Sequence, residues 1–397
     1  MMKKILILGG GQAQIELIKT AKAMGLYVVC VGIEGNYPGY QYADKVIYVD
    51  IFDKQAVLSI AKEETIDGIS MVCSDFGLET VGYINDQLNL SGISEKSALE
   101  SANKLLMKKN LEEAGVNTAK YRILRGVEDF SIAIEDMKFP LIVKAVDLQG
   151  SRGIYVCRTL AELQENYKKS IDESRCDYCL VEEFIEGEEF GAQAFVENGE
   201  VIFVEPHGDE VLRSGQINVP VGHSMPFIDH DTPQYILIVD FVKKAIKAMG
   251  FDNCAVNVDL ILKDSVPFVI ELTGRAGANY LPELTGTYLG LNYYEMVLVK
   301  ALGESAKDYY LNRKLGAKAV LTRMLYSDKS GWVKKINILE DDNVKHCILY
   351  ISEGDKVNRF TNSRDCIGKI LVVGDSVSEC NKNADAFICN KFKLEIE

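Results

Sequence analysis

The chain has 397 residues, more than one hydrophobic core holds, so roughly two to four domains are expected. Hydrophobic residues make up 47% and charged residues 26%, ordinary for a soluble globular protein. Forty-four basic against fifty-eight acidic residues give a net charge of −14, which argues against non-specific binding to nucleic acid or anionic membranes but leaves room for a local basic cluster around an anionic ligand. No run approaches the length of a membrane span, and no signal-peptide pattern opens the chain. The ten cysteines are therefore expected as reduced thiols in a cytoplasmic protein. Cys176 and Cys179 have CxxC spacing but lack the second pair or histidines of a zinc site, and they read equally as small apolar residues leading into a strand.

In chain order, KKILILGGGQAQIELIKTAKAMG reads as a strand, a glycine turn and a helix with Leu17, Ala21 and Met24 on one face. Strands follow at Tyr27 to Val31, Lys45 to Val49 and Gly68 to Cys73, with a helix over Asp53 to Glu63. This alternation predicts a parallel α/β domain. Gly9 and Gly11 invite a dinucleotide fingerprint, with Glu34 near the second strand as a ribose contact, but Gln14 stands at the third glycine position. The same turn serves for close helix–strand packing without a cofactor.

Ser97 to Ala114 reads as one helix stopped by Gly115, and Val127 to Asp136 and Leu160 to Ser170 as two more. Cys179 to Ile185 is a strand, and Phe190 to Val196 and Val201 to Val204 pair across the Asn198-Gly199 turn. His207 to His223 reads as a long polar loop. Thr232 to Met249 is an amphipathic helix, and Ala255 to Leu262 and Pro267 to Leu272 are paired strands. Beyond Gly303 the pattern changes to short strands and a late helix near Glu379 to Ile388, which sets a domain boundary near Ala306 to Lys314.

Chemistry concentrates at a few strand ends. In FPLIVKAVDLQGSRGIYV an apolar run carries one lysine, Lys144, followed by a turn with Gly150, Ser151 and Gly153 and a second strand. A lysine beside exposed backbone N–H groups suits a polyphosphate, though the stretch also reads as a plain hairpin with a surface lysine. Asp259 in NVDLIL and Glu271 in VIELTGR lie on adjacent strands and can converge on one face. Buried together they repel, a conflict that a divalent cation resolves; facing water they are ordinary strand acids. Arg275 follows in ELTGRAGAN as a bidentate donor, or as a loop arginine.

The order of these pieces resembles the ATP-grasp superfamily of carboxylate ligases. NKLLMKKNLEEAGVNTAKY resembles the helix that opens the ATP-grasp region, FPLIVKAVDLQGSRGIYV its lysine strand and phosphate loop, LVEEFIEGEEF its hinge and ribose segment, and NVDLIL with VIELTGRAG its metal strands. The tail, with GAKAVLTRMLYSDKSG and EGDKVNRFTNSRDCIGKILVVGD, resembles the C-terminal domain of biotin carboxylase-like and phosphoribosylglycinamide synthetase-like members. The resemblance implies a mixed α/β and α+β protein. A doubly wound parallel α/β domain spans residues 1–95. An ATP-grasp domain of two α+β lobes spans 96–305, with a lid lobe at about 115–180, and a small C-terminal α+β domain spans 306–397.

It further implies ATP and Mg2+, with Mn2+ as a substitute, and roles residue by residue. Lys104 and Lys144 contact the ATP phosphates, and the loop Leu148 to Gly153, including Gly150, Ser151 and Arg152, closes over them. Glu182, Glu183, Phe184 and Ile185 hold the adenine and Glu189 the ribose, while Asp259, Glu271 and Thr273 hold the metal. Arg275 steadies the transferring phosphate or the substrate carboxylate, with Lys144 as its catalytic companion. Thr273 departs from the asparagine that many members carry, which puts two-metal geometry in question. His207, Arg213 and His223 are expected substrate contacts or surface residues.

The implied reaction joins a small carboxylate to an amine through an acyl phosphate with release of ADP. The partners are small molecules rather than nucleic acid or membrane, and a homodimer is admitted. Phosphoribosylamine–glycine ligase, a carboxylase-type enzyme, a dinucleotide-dependent oxidoreductase and a non-catalytic nucleotide-binding protein stand as alternatives.

Overall fold

The computed structural model describes residues 2–148, 152–214 and 217–397, with the side chains of 213, 214, 217 and 218 outside the description. The N-terminal part runs β1 (Lys4–Leu8), α1 (Ile15–Ala23), β2 (Tyr27–Gly32), β3 (Lys45–Tyr48), α2 (Lys54–Glu64), β4 (Gly68–Ser70) and α3 (Leu78–Leu88). Its strands pair in parallel in the order β3-β2-β1-β4. Leu6 and Leu8 pack with α2 and α3, and Ile5 and Ile7 with α1. Both faces are covered, as a doubly wound sheet requires.

The glycine turn after β1 is closed by side chains rather than left open. A Cβ at Gly10 would lie 2.2 Å from the Tyr40 ring, so Tyr40 packs flat over the turn. Gln14 donates to Val72 O at 2.7 Å and accepts from Val72 N at 3.3 Å, pinning the turn to the chain beyond β4.

α4 (Glu95–Ala102) and α5 (Lys104–Glu113) replace the single helix expected over Ser97 to Ala114. Asn103 breaks it. Its backbone is extended (φ −110°, ψ 109°) and its side chain caps α5 by accepting from Leu105 N and Leu106 N. A four-stranded antiparallel sheet follows, built of β5 (Tyr121–Leu124), β6 (Leu141–Ala145), β7 (Ile154–Cys157) and β8 (Cys179–Glu183) in the order β5-β8-β6-β7. α6 (Asp129–Asp136) and α7 (Leu160–Glu173) pack on it around a separate core with Phe130, Leu141, Val143, Leu163 and Val181.

The largest sheet begins with β9 (Glu188–Glu197), β10 (Glu200–Ser214) and β11 (Ile217–Met225). The described residues from His207 to His223 therefore form two paired strands rather than a loop, with 215 and 216 outside the described residues. Asp209 pairs with His223 and Leu212 with Val219, so His207, Asp209 and His223 share one face while Gly208, Glu210 and Gly222 fall on the other. α8 (Pro233–Ala248), β12 (Cys254–Lys263) and β13 (Val266–Thr273) follow, and then α9 (Leu281–Leu289), α10 (Tyr293–Ala301) and α11 (Ala306–Leu311). The C-terminal part adds β14 (Ala319–Leu325), β15 (Gly331–Ile338), β16 (Val344–Leu349), β17 (Lys356–Val357), β18 (Gly368–Gly374), α12 (Val377–Asn390) and β19 (Phe392–Ile396). One sheet runs β13-β12-β9-β10-β11-β14-β18-β16, so its strands continue from the middle of the chain into the C-terminal part. A small sheet, β17-β15-β19, stands beside it.

Candidate active site

α5 and the four-stranded sheet build a buried charge cluster. Lys104 and Lys108 are four residues apart, so both project from one face of α5 toward β6 and β8. Glu182 Oε2 lies 2.9 Å from Lys144 Nζ and 3.2 Å from Lys108 Nζ, with all three side chains buried. Burial works against the Glu182 carboxylate, but the two ammonium groups outweigh it and hold its carboxyl below the usual range. Lys108 is the converse. Burial dominates and pulls its ammonium down to about 8, although Glu182 opposes the shift. Lys108 also donates to Thr118 Oγ1 at 2.8 Å and Ala119 O at 3.0 Å. Lys104 Nζ donates to Leu148 O at 2.7 Å and lies 3.4 Å from Glu271 Oε1, so the lysine cluster and the acid strands meet.

On the large sheet Glu271, Asp259, Gly191 and His207 are successive register partners across β13, β12, β9 and β10. Directly opposed residues share a face, so these form one row. Burial, then the charges of Glu271 and Asp209, push the Asp259 carboxyl up to about 7. Asn257 Nδ2 donates to Asp259 Oδ1 at 3.0 Å, while its own Oδ1 accepts from Gln193 Nε2 at 2.6 Å. Thr273, opposite Asn257, has a buried Oγ1 with no partner among the described residues. A buried Asp259 carboxyl that resists ionisation, opposite a second acid and close to an orphaned hydroxyl, is what a divalent cation would satisfy, so the residues fit magnesium.

At Gly191 a Cβ would lie 2.4 Å from His207 Cε1 and 2.5 Å from its Nε2, so the glycine makes room for the imidazole beside Asp259. Asp209 Oδ1 joins His207 Nδ1 at 2.9 Å and His223 Nδ1 at 2.6 Å. Burial opposes the Asp209 charge, but the two imidazoles outweigh it and hold the carboxyl far below its usual range. Nε2 of each histidine is buried without a hydrogen-bond partner among the described residues. An open pocket reaches this cluster, lined by Glu189, Asp209, His223, Phe227 and Asn381 among others.

The remaining expected residues fall in three places. The Glu182 side chain sits with the lysines. The chain just after it runs through Glu183, Phe184 and Ile185, with Glu183 N donating to Lys120 O at 3.0 Å and Phe184 N to Pro140 O at 3.2 Å. Arg275 is partly buried with its guanidinium forked onto Asp75, Nε to Oδ1 at 2.6 Å and Nη2 to Oδ2 at 3.0 Å, so it ties the site to the N-terminal part. Arg152 is exposed at the edge of the lysine strand, and Gly153 (φ +64°) turns back so that its carbonyl accepts from Ala145 N at 2.9 Å. Gly150, Ser151 and the Arg213 side chain lie outside the described residues. Cys176 and Cys179 are free thiols. Sequence reading missed Lys108, Asp209, Asn257, Gln193 and Asp75. Only Lys108 had a legible signal, its spacing from Lys104.

A lysine-strand sheet, a second sheet bearing paired acids and a helix that joins them define the ATP-grasp class of ligases. The chain belongs to that family, whose members join a carboxylate to an amine using ATP and magnesium and release ADP. The profile described as phosphoribosylglycinamide synthetase, ATP-grasp (A) domain matches residues 102–213. That described as L-amino acid ligase C-terminal domain 2 matches residues 323–390. The crystal structure of phosphoribosylglycinamide synthetase from Anaerococcus prevotii is 38% identical, covers 100% of both chains and superposes with a TM-score of 0.85. The L-amino acid ligase from Bacillus licheniformis shares the fold, at 21% identity over 100% of this chain and 99% of that one, with a TM-score of 0.82. A formate-dependent phosphoribosylglycinamide formyltransferase from Bacteroides fragilis is 25% identical over 369 residues, 90% of this chain and 92% of its own. No helix of the described residues is long and apolar enough to cross a membrane.

Proposed function

We propose that the chain activates a small carboxylate of the amino-acid class as an acyl phosphate and passes the acyl group to an amine. The observation that carries this reading is the meeting of Lys104 with Glu271, which brings the buried lysine cluster against the acid pair. In this reading Lys104 and Lys144 bind the phosphates, and the hinge from Glu183 to Ile185 takes the adenine. Asp259, Glu271 and Thr273 would hold magnesium, which supplies neutralisation of phosphate charge when bound. One carboxylate oxygen of the substrate bonds to the γ-phosphorus as the bond to ADP breaks, and the amine nitrogen then displaces phosphate at the acyl carbon. Positioning and charge neutralisation drive both steps, so no protein nucleophile is needed.

The amino-acid class is supported by the C-terminal match and by the first of the relatives above. That relative's name also favours a second reading, in which the amine is phosphoribosylamine and the acid glycine. ADP release with ATP, magnesium and pooled amino acids, with hydroxylamine present to capture an acyl phosphate as a hydroxamate, tests the class. Glycine with phosphoribosylamine alone tests the second reading. Tight ATP binding without ADP release or hydroxamate in any pool would sink both and leave a nucleotide-binding protein.

A further inference from the structure

On the Arg275 side of the acid pair, three parts of the chain bring together a polar cluster that the phosphate chemistry does not use. Tyr280 and Glu283 open α9, Lys369 lies on β18, and Tyr350 follows β16. Glu16, in the first turn of α1, and Cys73 lie close enough for their charges to be felt there. Lys369 faces the α9 side of the sheet with Leu371, which packs against Tyr280, Leu281 and Leu284.

Several features lack a packing explanation. Tyr280 is 7% exposed, yet it holds a left-handed backbone (φ 69°) that strains a bulky residue. Its hydroxyl is buried with no partner among the described residues. Tyr294 donates to Glu283 Oε1 at 2.8 Å, but Glu283 Oε2 is buried and unpartnered. The N-terminal dipole of α9 favours an acid in its first turn, which accounts for a glutamate there but not for the orphaned oxygen. Burial raises the Glu283 carboxyl to about 7, as expected of an acid that lacks its cation. Lys369 Nζ lies 5.6 Å from the Tyr280 ring centre and 5.9 Å from that of Tyr350, and among the described residues no carboxylate forms an ion pair with it. The acid with one unpartnered oxygen and the lysine with no ion pair thus feel each other's charge without forming an ion pair among the described residues.

We infer that Tyr280, Glu283, Tyr350 and Lys369 form a recognition pocket for a zwitterionic α-amino acid. Glu283 Oε2 and Tyr280 Oη receive the ammonium group, Lys369 receives the carboxylate, and the two tyrosine rings wall the pocket. The inference rests on the amino-acid reading of the substrate, and it names the groups that select it.

Binding separates the two. Each proteinogenic amino acid, its deaminated acid and its methyl ester are titrated calorimetrically into the full chain with magnesium and a non-hydrolysable ATP analogue. At least one amino acid is expected to bind at least tenfold more tightly than both of its analogues. Glu283→Gln should abolish the preference over the deaminated acid, and Lys369→Met the preference over the ester. Tyr280→Phe should weaken the amino acid several-fold, and nucleotide affinity should hold in all three. A general structural fault would lower all affinities and exchange no preference. The pocket is overturned if no amino acid binds, or if both variants keep both preferences. Amino-acid binding without ADP release would instead overturn the ligase reading and leave the pocket standing.

Discussion

Glu182 carries the charge balance of two buried ammonium groups, Lys144 and Lys108. Glu182→Gln strands both, so it should cost about 3–5 kcal/mol in urea unfolding, and adding Lys108→Met should recover part of that loss. Lys144 was legible as a lysine ending a buried strand, but its ion pair with Glu182 was not, because compensation between strands leaves no mark in local sequence. Asp259 yields a second prediction. Its carboxyl stands at about 7, above the ordinary value of about 3.9. The stability it contributes is complete below pH about 4 and is lost as pH rises to about 7, where the carboxylate ionises in a buried site. Magnesium takes the proton's place, so it should raise the melting temperature more at pH 8 than at pH 5. Chelation with EDTA should reverse the gain, and Glu271→Gln should remove it and stop turnover while leaving the fold intact. Equal gains at both pH values would argue against the acid pair as the metal site.

At the scale of elements, polar residues misled twice. Asn103 looked like one more helical residue because its role as a cap depends on an extended backbone that composition does not encode. Asn103→Ala should cost about 1 kcal/mol in thermal or urea unfolding. The hairpin of β10 and β11 looked like a loop because polar residues or glycines stand on both faces, His207, Asp209 and His223 on one and Gly208, Glu210 and Gly222 on the other, so no apolar–polar alternation marks it. β12 and β13 were legible because their outer residues are apolar and their turn is short. Gly191→Ala tests the row that crosses these strands. Its Cβ would lie 3.0 Å from Val258 O as well as against the His207 ring. A loss of about 1–3 kcal/mol is expected, with ADP release falling further than nucleotide affinity.

For the whole molecule, the parallel N-terminal sheet was readable from alternation alone. The union of β11 with β14 was not, since pairing between distant strands is set by packing and not by either strand's pattern. A chain ended at Gly316 would expose the edge of β11 and uncover the apolar side of α9, where Leu281 and Leu284 meet Val320 and Leu371. Such a truncation should aggregate or lose its near-ultraviolet dichroism, whereas the full chain should melt without a separate C-terminal transition. A truncated chain that stayed monomeric and bound ATP would show the C-terminal strands to be an independent unit.

The placement of Lys144 and Asp259 on different sheets has a mechanical consequence. The four-stranded sheet is joined to the large one near Thr118, which bridges to Val269, and again through the segment after Glu183. In the proposed reading a nucleotide held by Lys144 on one sheet and, through a metal, by the acids on the other would become a strut that triangulates two panels otherwise held along a narrow seam. Its phosphates would stiffen amides in β5, which the proposed reading leaves without a nucleotide contact, and slower hydrogen exchange there on adding magnesium and the ATP analogue would register that bracing.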